Sequence, residues 1–180
     1  MGALERNLTQ YAAYHRDRRN IATHFAGIPM IVLGLVIAGA SIAIRVGTME
    51  VTLAALLSVA ASVYYFRLDF VFGVTLAVAL LGACAAASEA LARLGTGGAL
   101  AAALALFAGG WALQFLGHRY EGMKPAFFDD VRQLLIGPLF VCAEAYFMLG
   151  AKSELRQRIE ERVGPVVARR VDSRAGASRP

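Results

Sequence analysis

The sequence predicts an all-α fold: a polytopic membrane helical bundle of about four spanning helices. An N-terminal amphipathic helix and a re-entrant or interfacial helix near the C-terminus complete it. Three observations point there. The composition is 58% hydrophobic and 17% charged, against roughly 45–50% and 25% in soluble domains. Five apolar stretches approach or exceed the roughly 18 residues that a spanning helix needs. The cations gather in alternate connections, the pattern that orients a polytopic chain.

Taken in order, Leu4 to His15 carries Leu4, Leu8, Tyr11, Ala12 and His15 on one stripe, as an amphipathic helix does. The first twenty residues are polar and carry six charges, so no cleavable signal peptide is expected there. Asn20 is the expected N-cap of the first span, Ile21 to Ile44, with Pro29 near its entrance. A polar break at 45–50 precedes the second span, Val51 to Phe66, which ends on Tyr64 and Tyr65 as interface anchors. Arg67–Asp69 is a turn. Phe70 to Leu91 is the third span, 93–98 its exit loop, and the Ala- and Gly-rich stretch Leu100 to Leu116 the fourth. Asp129 and Asp130 suit the start of a further helix, Val131 to Leu149, interrupted by Gly137-Pro138.

Residues 1–150 thus read as one integral-membrane domain, and 151–180 as a basic tail, a helix fraying into disorder. With four crossings, sixteen of the eighteen Lys and Arg share one side, and only Arg45 and Arg93 lie opposite. That asymmetry puts both termini in the cytoplasm. A fifth crossing by 131–149 would carry the most basic segment outside, hence the re-entrant or interfacial assignment. The tail lacks interleaved aromatics and any nucleic-acid motif, so its partner is anionic membrane lipid and no nucleic acid is expected. Cys84 and Cys142 fall inside apolar helices and read as small buried hydrophobes.

The chemistry concentrates in three histidines. His15 and His24 lie at the cytoplasmic entrance of the first span, and His118 at the cytoplasmic exit of the fourth, so all three arrive at one depth. His15 and His24, nine residues apart, face opposite ways on a straight helix. One metal reaches both only if the chain turns between them, within Arg16–Asn20. Asn20 then stands one turn before His24 and can orient it. Gln114, His118 and Glu121 share a face at i, i+4 and i+7. Glu121 reads as a fourth ligand, an orienting group, a base, or a carboxylate paired with Arg119 or Lys124. Gln114, one turn deeper, reads as a hydrogen-bonding neighbour. Imidazoles suit iron, zinc or copper, and the residues do not choose among them.

Two blocks carry a family resemblance: Tyr11-x-x-Tyr14-His15 with Asn20-x-x-x-His24 and Pro29, then Trp111-x-x-Gln114-Phe-x-Gly117-His118-x-x-Glu121-x-x-x-Pro125-Ala126. Asp129, Gln133, Pro138 and Glu144 continue the match, which covers roughly residues 7–150. The chain resembles a membrane family, formerly a domain of unknown function, of Fe(II)-dependent 2-hydroxy fatty acid dioxygenases. The resemblance implies an oxidoreductase of lipid metabolism. It would shorten a long-chain 2-hydroxy fatty acid by one carbon with O2, the α-oxidation step of phytosphingosine breakdown in eukaryotic members. It carries the iron ligands onto His15, His24 and His118, with Glu121, Gln114, Asn20 and Lys124 as catalytic candidates. Lys124 or Arg119 would offset the substrate carboxylate. The chain departs from the pattern at Met123, where a second basic residue is expected. The Ala, Gly and Arg content suits a bacterial inner-membrane protein. Di-iron hydroxylases need about eight histidines and are discounted. A haem protein and a non-catalytic metal- or lipid-binding membrane scaffold are the rival expectations.

Overall fold

The computed structural model describes residues 1–125, 130 and 132–167. The chain is mostly helical: α1 (Ala3–Ala12), α2 (Arg18–Ala40), α3 (Leu53–Leu68), α4 (Phe70–Glu121), α5 (Gln133–Met148) and α6 (Ser153–Val163). Among the described residues two helices, α2 and α4, are long and apolar enough to cross a membrane. A third span results if α5 and α6, bent by 114°, count as one broken segment. The 16-residue α3 falls short of that length.

The first expected span stops at Ala40 rather than Ile44. Beyond it the β-branched alternation of Ile42, Ile44 and Val46 suits a strand better than a helix. The expected polar break is instead a two-stranded antiparallel hairpin, β1 (Ala43–Val46) and β2 (Met49–Thr52), in register Arg45 opposite Glu50. The N-cap of α2 is Asp17, whose carboxylate accepts the Arg19 N–H at 2.8 Å. Asn20 lies inside the helix. An ionised side chain aimed at the first turn satisfies a terminal donor and meets the positive end of the helix dipole.

The expected 93–98 loop contracts to a single residue. Gly95, with φ 66 and ψ 171, is the one non-helical residue in the 52 of α4. Straight, that helix would extend about 78 Å. Yet Phe72 packs in one cluster with Leu8, Tyr11 and Ala12, and Glu121 bonds the backbone of Arg16 and Asp17 close by. The two ends of α4 therefore meet, and the chain reverses at Gly95, where the positive φ costs glycine little.

The returning arm, 96–121, runs antiparallel to α2 along a seam of small residues. A Cβ on Gly34 would meet the Ala103 carbonyl at 2.7 Å, and one on Gly110 the Gly27 carbonyl at 2.7 Å; one on Gly117 would strike Asn20 and Thr23. The contacts step by seven on each helix (20, 27, 34 against 117, 110, 103), so two backbones lie together over about four turns. In hydrocarbon, close van der Waals packing of this kind replaces the hydrophobic effect as the force between helices. Gly34→Ala is expected to destabilise the protein by about 1–3 kcal/mol through overpacking against backbone that cannot yield. A lowered unfolding temperature in detergent checks this.

The core has two parts. Leu8, Phe72, Ile136, Leu139, Phe140, Leu155 and Ile159 pack at the end where α1 and α6 lie. Val36, Ile37, Ala54, Ala87, Ala99 and Ala103 pack at the other. Leu57, Val59, Val63, Phe70, Val78, Leu81 and Leu104 are at least half exposed around the outside. Such an apolar exterior is a liability in water and a match for lipid. Tyr65 is no interface anchor: it is 2% exposed and its hydroxyl donates to the Leu135 carbonyl.

Residues 152–167 pack on this end as well. Leu155 and Ile159 are buried, and Arg158 and Arg162 both reach Glu5. Residues 168–180, to which the expected disorder of the tail applies, lie outside the described residues, as do Ala126 and Asp129. Lys152 pairs with Asp69 at 2.7 Å. Partial burial raises the Asp69 carboxyl, but the Lys152 ammonium and the Phe72 N–H outweigh it and hold its pKa below the ordinary value. A depressed folded pKa means stabilisation that is present above the unfolded value, about 3.9, and is lost as pH falls through the folded one. Lys152→Met should therefore cost about 0.5–1 kcal/mol near neutrality, given the partial exposure of the pair. The difference from wild type should shrink below about pH 4 in pH-resolved thermal melts.

Candidate metal centre

Three buried imidazoles converge where the N-terminal arm meets the ends of α2 and α4. His15 is fully buried, His24 1% and His118 5% exposed. One ligand atom from each lies within 4.8 Å of the others. The chain turns between His15 and His24 at residues 13–17, slightly before the expected run, and re-enters helix at Arg18. That turn brings together two rings which a continuous helix would hold apart.

Each ring of the N-terminal pair is oriented by a carbonyl one helical turn earlier. His15 Nδ1 lies 2.7 Å from the Tyr11 carbonyl and His24 Nδ1 2.9 Å from the Asn20 carbonyl. A carbonyl only accepts, so both Nδ1 atoms donate and both Nε2 atoms carry lone pairs when the rings are neutral. These Nε2 atoms are 2.9 Å apart. Two acceptors at that distance repel unless a cation lies between them. A shared proton is disfavoured: burial, then the neighbouring His24, lowers the His15 pKa well below its ordinary value despite the Tyr11 carbonyl. A metal ion suits the pair. Nitrogens bound to one ion at about 2.1 Å are about 3 Å apart when the bonds make a right angle. Among the described residues His118 Nδ1 is buried with no hydrogen-bond partner. Three neutral imidazoles are a donor set that iron accepts.

Glu121 fastens the turn. Its Oε2 accepts the backbone N–H of Asp17 at 2.7 Å and of Arg16 at 2.9 Å, and Asn20 Nδ2 at 3.2 Å. Gly122, left-handed with φ 71, ends α4 immediately afterwards. Arg16 is itself buried: Nε donates to the Ala12 and His15 carbonyls, and Nη1 to the Gly164 carbonyl at 3.0 Å. Burial lowers its pKa, with Glu144 foremost among the groups opposing this. Val167 closes the arrangement, giving its N–H to the Arg16 carbonyl at 2.8 Å and accepting the Arg18 N–H at 3.0 Å.

A cavity of about 320 Å³ opens beside the imidazoles, lined by His24 and His118 together with Tyr11, Trp111, Gln114 and Gln133. Among the described residues Gln114 Nε2 and Gln133 Oε1 are buried there without hydrogen-bond partners. Asn20 is fully buried behind His24. Lys124 is exposed, next in sequence to Pro125 of the cavity wall. Sequence reasoning assigned no role at the site to four participants. Tyr11 stacks on His15 with ring centroids 4.1 Å apart and planes within 6°, and burial raises its pKa so that the hydroxyl keeps its proton. Its place one turn before His15 was the available signal. Arg16 and Asp17 read only as part of the run in which the chain turns, and Gln133 only as a position of the family resemblance.

A family model described as 2-hydroxy-palmitic acid dioxygenase Mpo1-like matches residues 1–149. The chain is 31% identical over 160 residues to the 2-hydroxy-palmitic acid dioxygenase MPO1 of Saccharomyces cerevisiae, covering 87% of each chain. No solved structure matches. The protein belongs to the Mpo1-like family of dioxygenases.

Proposed function

We propose that this protein is an Fe(II)-dependent dioxygenase that converts a long-chain 2-hydroxy fatty acid to the fatty acid one carbon shorter. The observation that carries this is the pair of Nε2 lone pairs facing each other at 2.9 Å, with His118 beside them, in a chain of the Mpo1-like family. The shortened acid, carbon dioxide and water account for every atom of one hydroxy acid and one O2. No further reductant is required.

His15, His24 and His118 would hold the iron, which when bound supplies the redox chemistry that ground-state O2 needs to react with a closed-shell acid. The Tyr11 and Asn20 carbonyls keep the ring protons on Nδ1, so the Nε2 atoms stay available as ligands. Glu121 acts as an orienting group rather than a ligand, tying the turn that bears His15 to the helix that bears His118. Gln114 Nε2 donates to a carboxylate oxygen of the substrate and Gln133 Oε1 accepts from its hydroxyl, which pairs the two unmatched amide atoms. Lys124 attracts the carboxylate at the rim. The apolar walls exclude water from the reacting carbon.

The bundle crosses the bacterial inner membrane four times, as α2, α3 and the two arms of α4, with α5 re-entrant and both termini cytoplasmic. Among the described residues the only cations at the opposite end are Arg45, in the hairpin, and Arg93, beside Gly95, which supports this orientation. An aerobic assay of purified protein with 2-hydroxypalmitate and ferrous iron tests the activity. The acid one carbon shorter is the expected product. Stoichiometric iron without any shortened acid would return the site to a metal-binding scaffold.

A further inference from the structure

A second cavity, about 1120 Å³, lies between α2, α3, the outgoing arm of α4 and α5. It shares Ile28, Val32, Leu35, Leu134 and Pro138 with the wall of the first. The two differ in chemistry. In the first, buried amide atoms of Gln114 and Gln133 lack partners. In the second, the polar side chains satisfy one another: Thr75 Oγ1 and Tyr146 Oη are 2.8 Å apart, Tyr65 donates to the Leu135 carbonyl, and Ser58 Oγ stands 3.5 Å from Cys84 Sγ. What remains is an apolar lining kept wide by small residues, Ala54, Ala61, Ala79, Ala83 and Ala86 among them.

From this we infer that the second cavity holds the distal acyl chain of the substrate, and that its small residues set the longest chain accepted. The inference rests on the proposed 2-hydroxy acid substrate. Head and tail sort by the same rule: unmatched polar atoms recruit the hydroxy acid, and a lining with none left over takes only hydrocarbon. The first cavity, at the lower end of the roughly 300–1,000 Å³ of small-ligand sites, has room for the head and the first methylenes. The shared wall of Ile28, Val32 and Pro138 is where the chain passes from one space to the other. A bulky side chain at Ala79 or Ala83 would shorten the second space without touching the imidazoles.

The test uses full-length, iron-loaded protein in detergent and a 2-hydroxy sixteen-carbon acid carrying a diazirine at its far end. Irradiation should label residues 54–61, 75–86 or 141–146, and a photoreactive phosphatidylcholine should not compete. Ala79→Phe, with Ala83→Leu as a second variant, should lower the affinity ratio of sixteen- over eight-carbon 2-hydroxy acids by about tenfold or more, because each methylene kept in water loses its burial. Bound iron should be unchanged. Label confined to the Phe107–Trp111 face, label equally displaced by the phospholipid, no label, or an unaltered ratio in both variants would each overturn the inference. Labelling at this cavity with no shortened product sinks the dioxygenase reading alone. Product formation with label elsewhere sinks only the acyl site.

Discussion

His118→Ala is expected to abolish both bound iron and turnover. The substitution takes away one of the three proposed ligands and leaves His15 and His24 with lone pairs opposed at 2.9 Å. Two imidazoles hold a divalent ion far more weakly than three, and the loss should exceed the roughly 10–100-fold typical of removing a group that merely supports a ligand. Iron per chain should fall from about one to near zero by metal analysis, with the one-carbon-shorter acid below detection. The fold should persist, because His118 lies at the end of α4 and the seam of small residues against α2 is untouched. A folded His118→Ala protein that retains stoichiometric iron would exclude this metal centre.

Glu121→Ala should have the next largest effect, through positioning rather than ligation. The carboxylate accepts two backbone N–H groups at the turn and the Asn20 amide, all buried. Its removal leaves those donors in a dry environment, at a cost of about 1–3 kcal/mol for each unsatisfied group. The turn carrying His15 then loses its tie to α4. Iron affinity, measured by chelator competition, should weaken about 10–100-fold. Glu121→Gln keeps an acceptor oxygen but not the charge, and should fall between wild type and alanine. If Glu121→Ala binds iron as tightly as wild type while staying folded, the carboxylate does not position the site.

Much of the arrangement was legible in the chain because membrane helices announce themselves by length and apolarity. The boundaries of α2, α3 and the two arms of α4 fall close to the apolar runs. His15, His24 and His118 were readable as a set because they are the only imidazoles and the positive-inside pattern gives them a common depth. Finer features depended on competition among neighbours. Asp17 took the cap that Asn20 was expected to provide, because the turn fell earlier. Tyr65 turned inward because α5 offered the Leu135 carbonyl within reach of its hydroxyl. Neither outcome is written in a local pattern.

What the sequence determined alone is therefore the helical class, the apolar segments and the inventory of histidines, since all three follow from composition and period. Only the tertiary structure decided that α4 folds back on a single glycine, that Glu121 accepts the backbone N–H groups of Arg16 and Asp17, and that Arg16 is buried under residues 164–167. The reason is physical. Those choices depend on which donors and acceptors from distant segments are shut away from water together, and no segment carries that information before the others have packed against it.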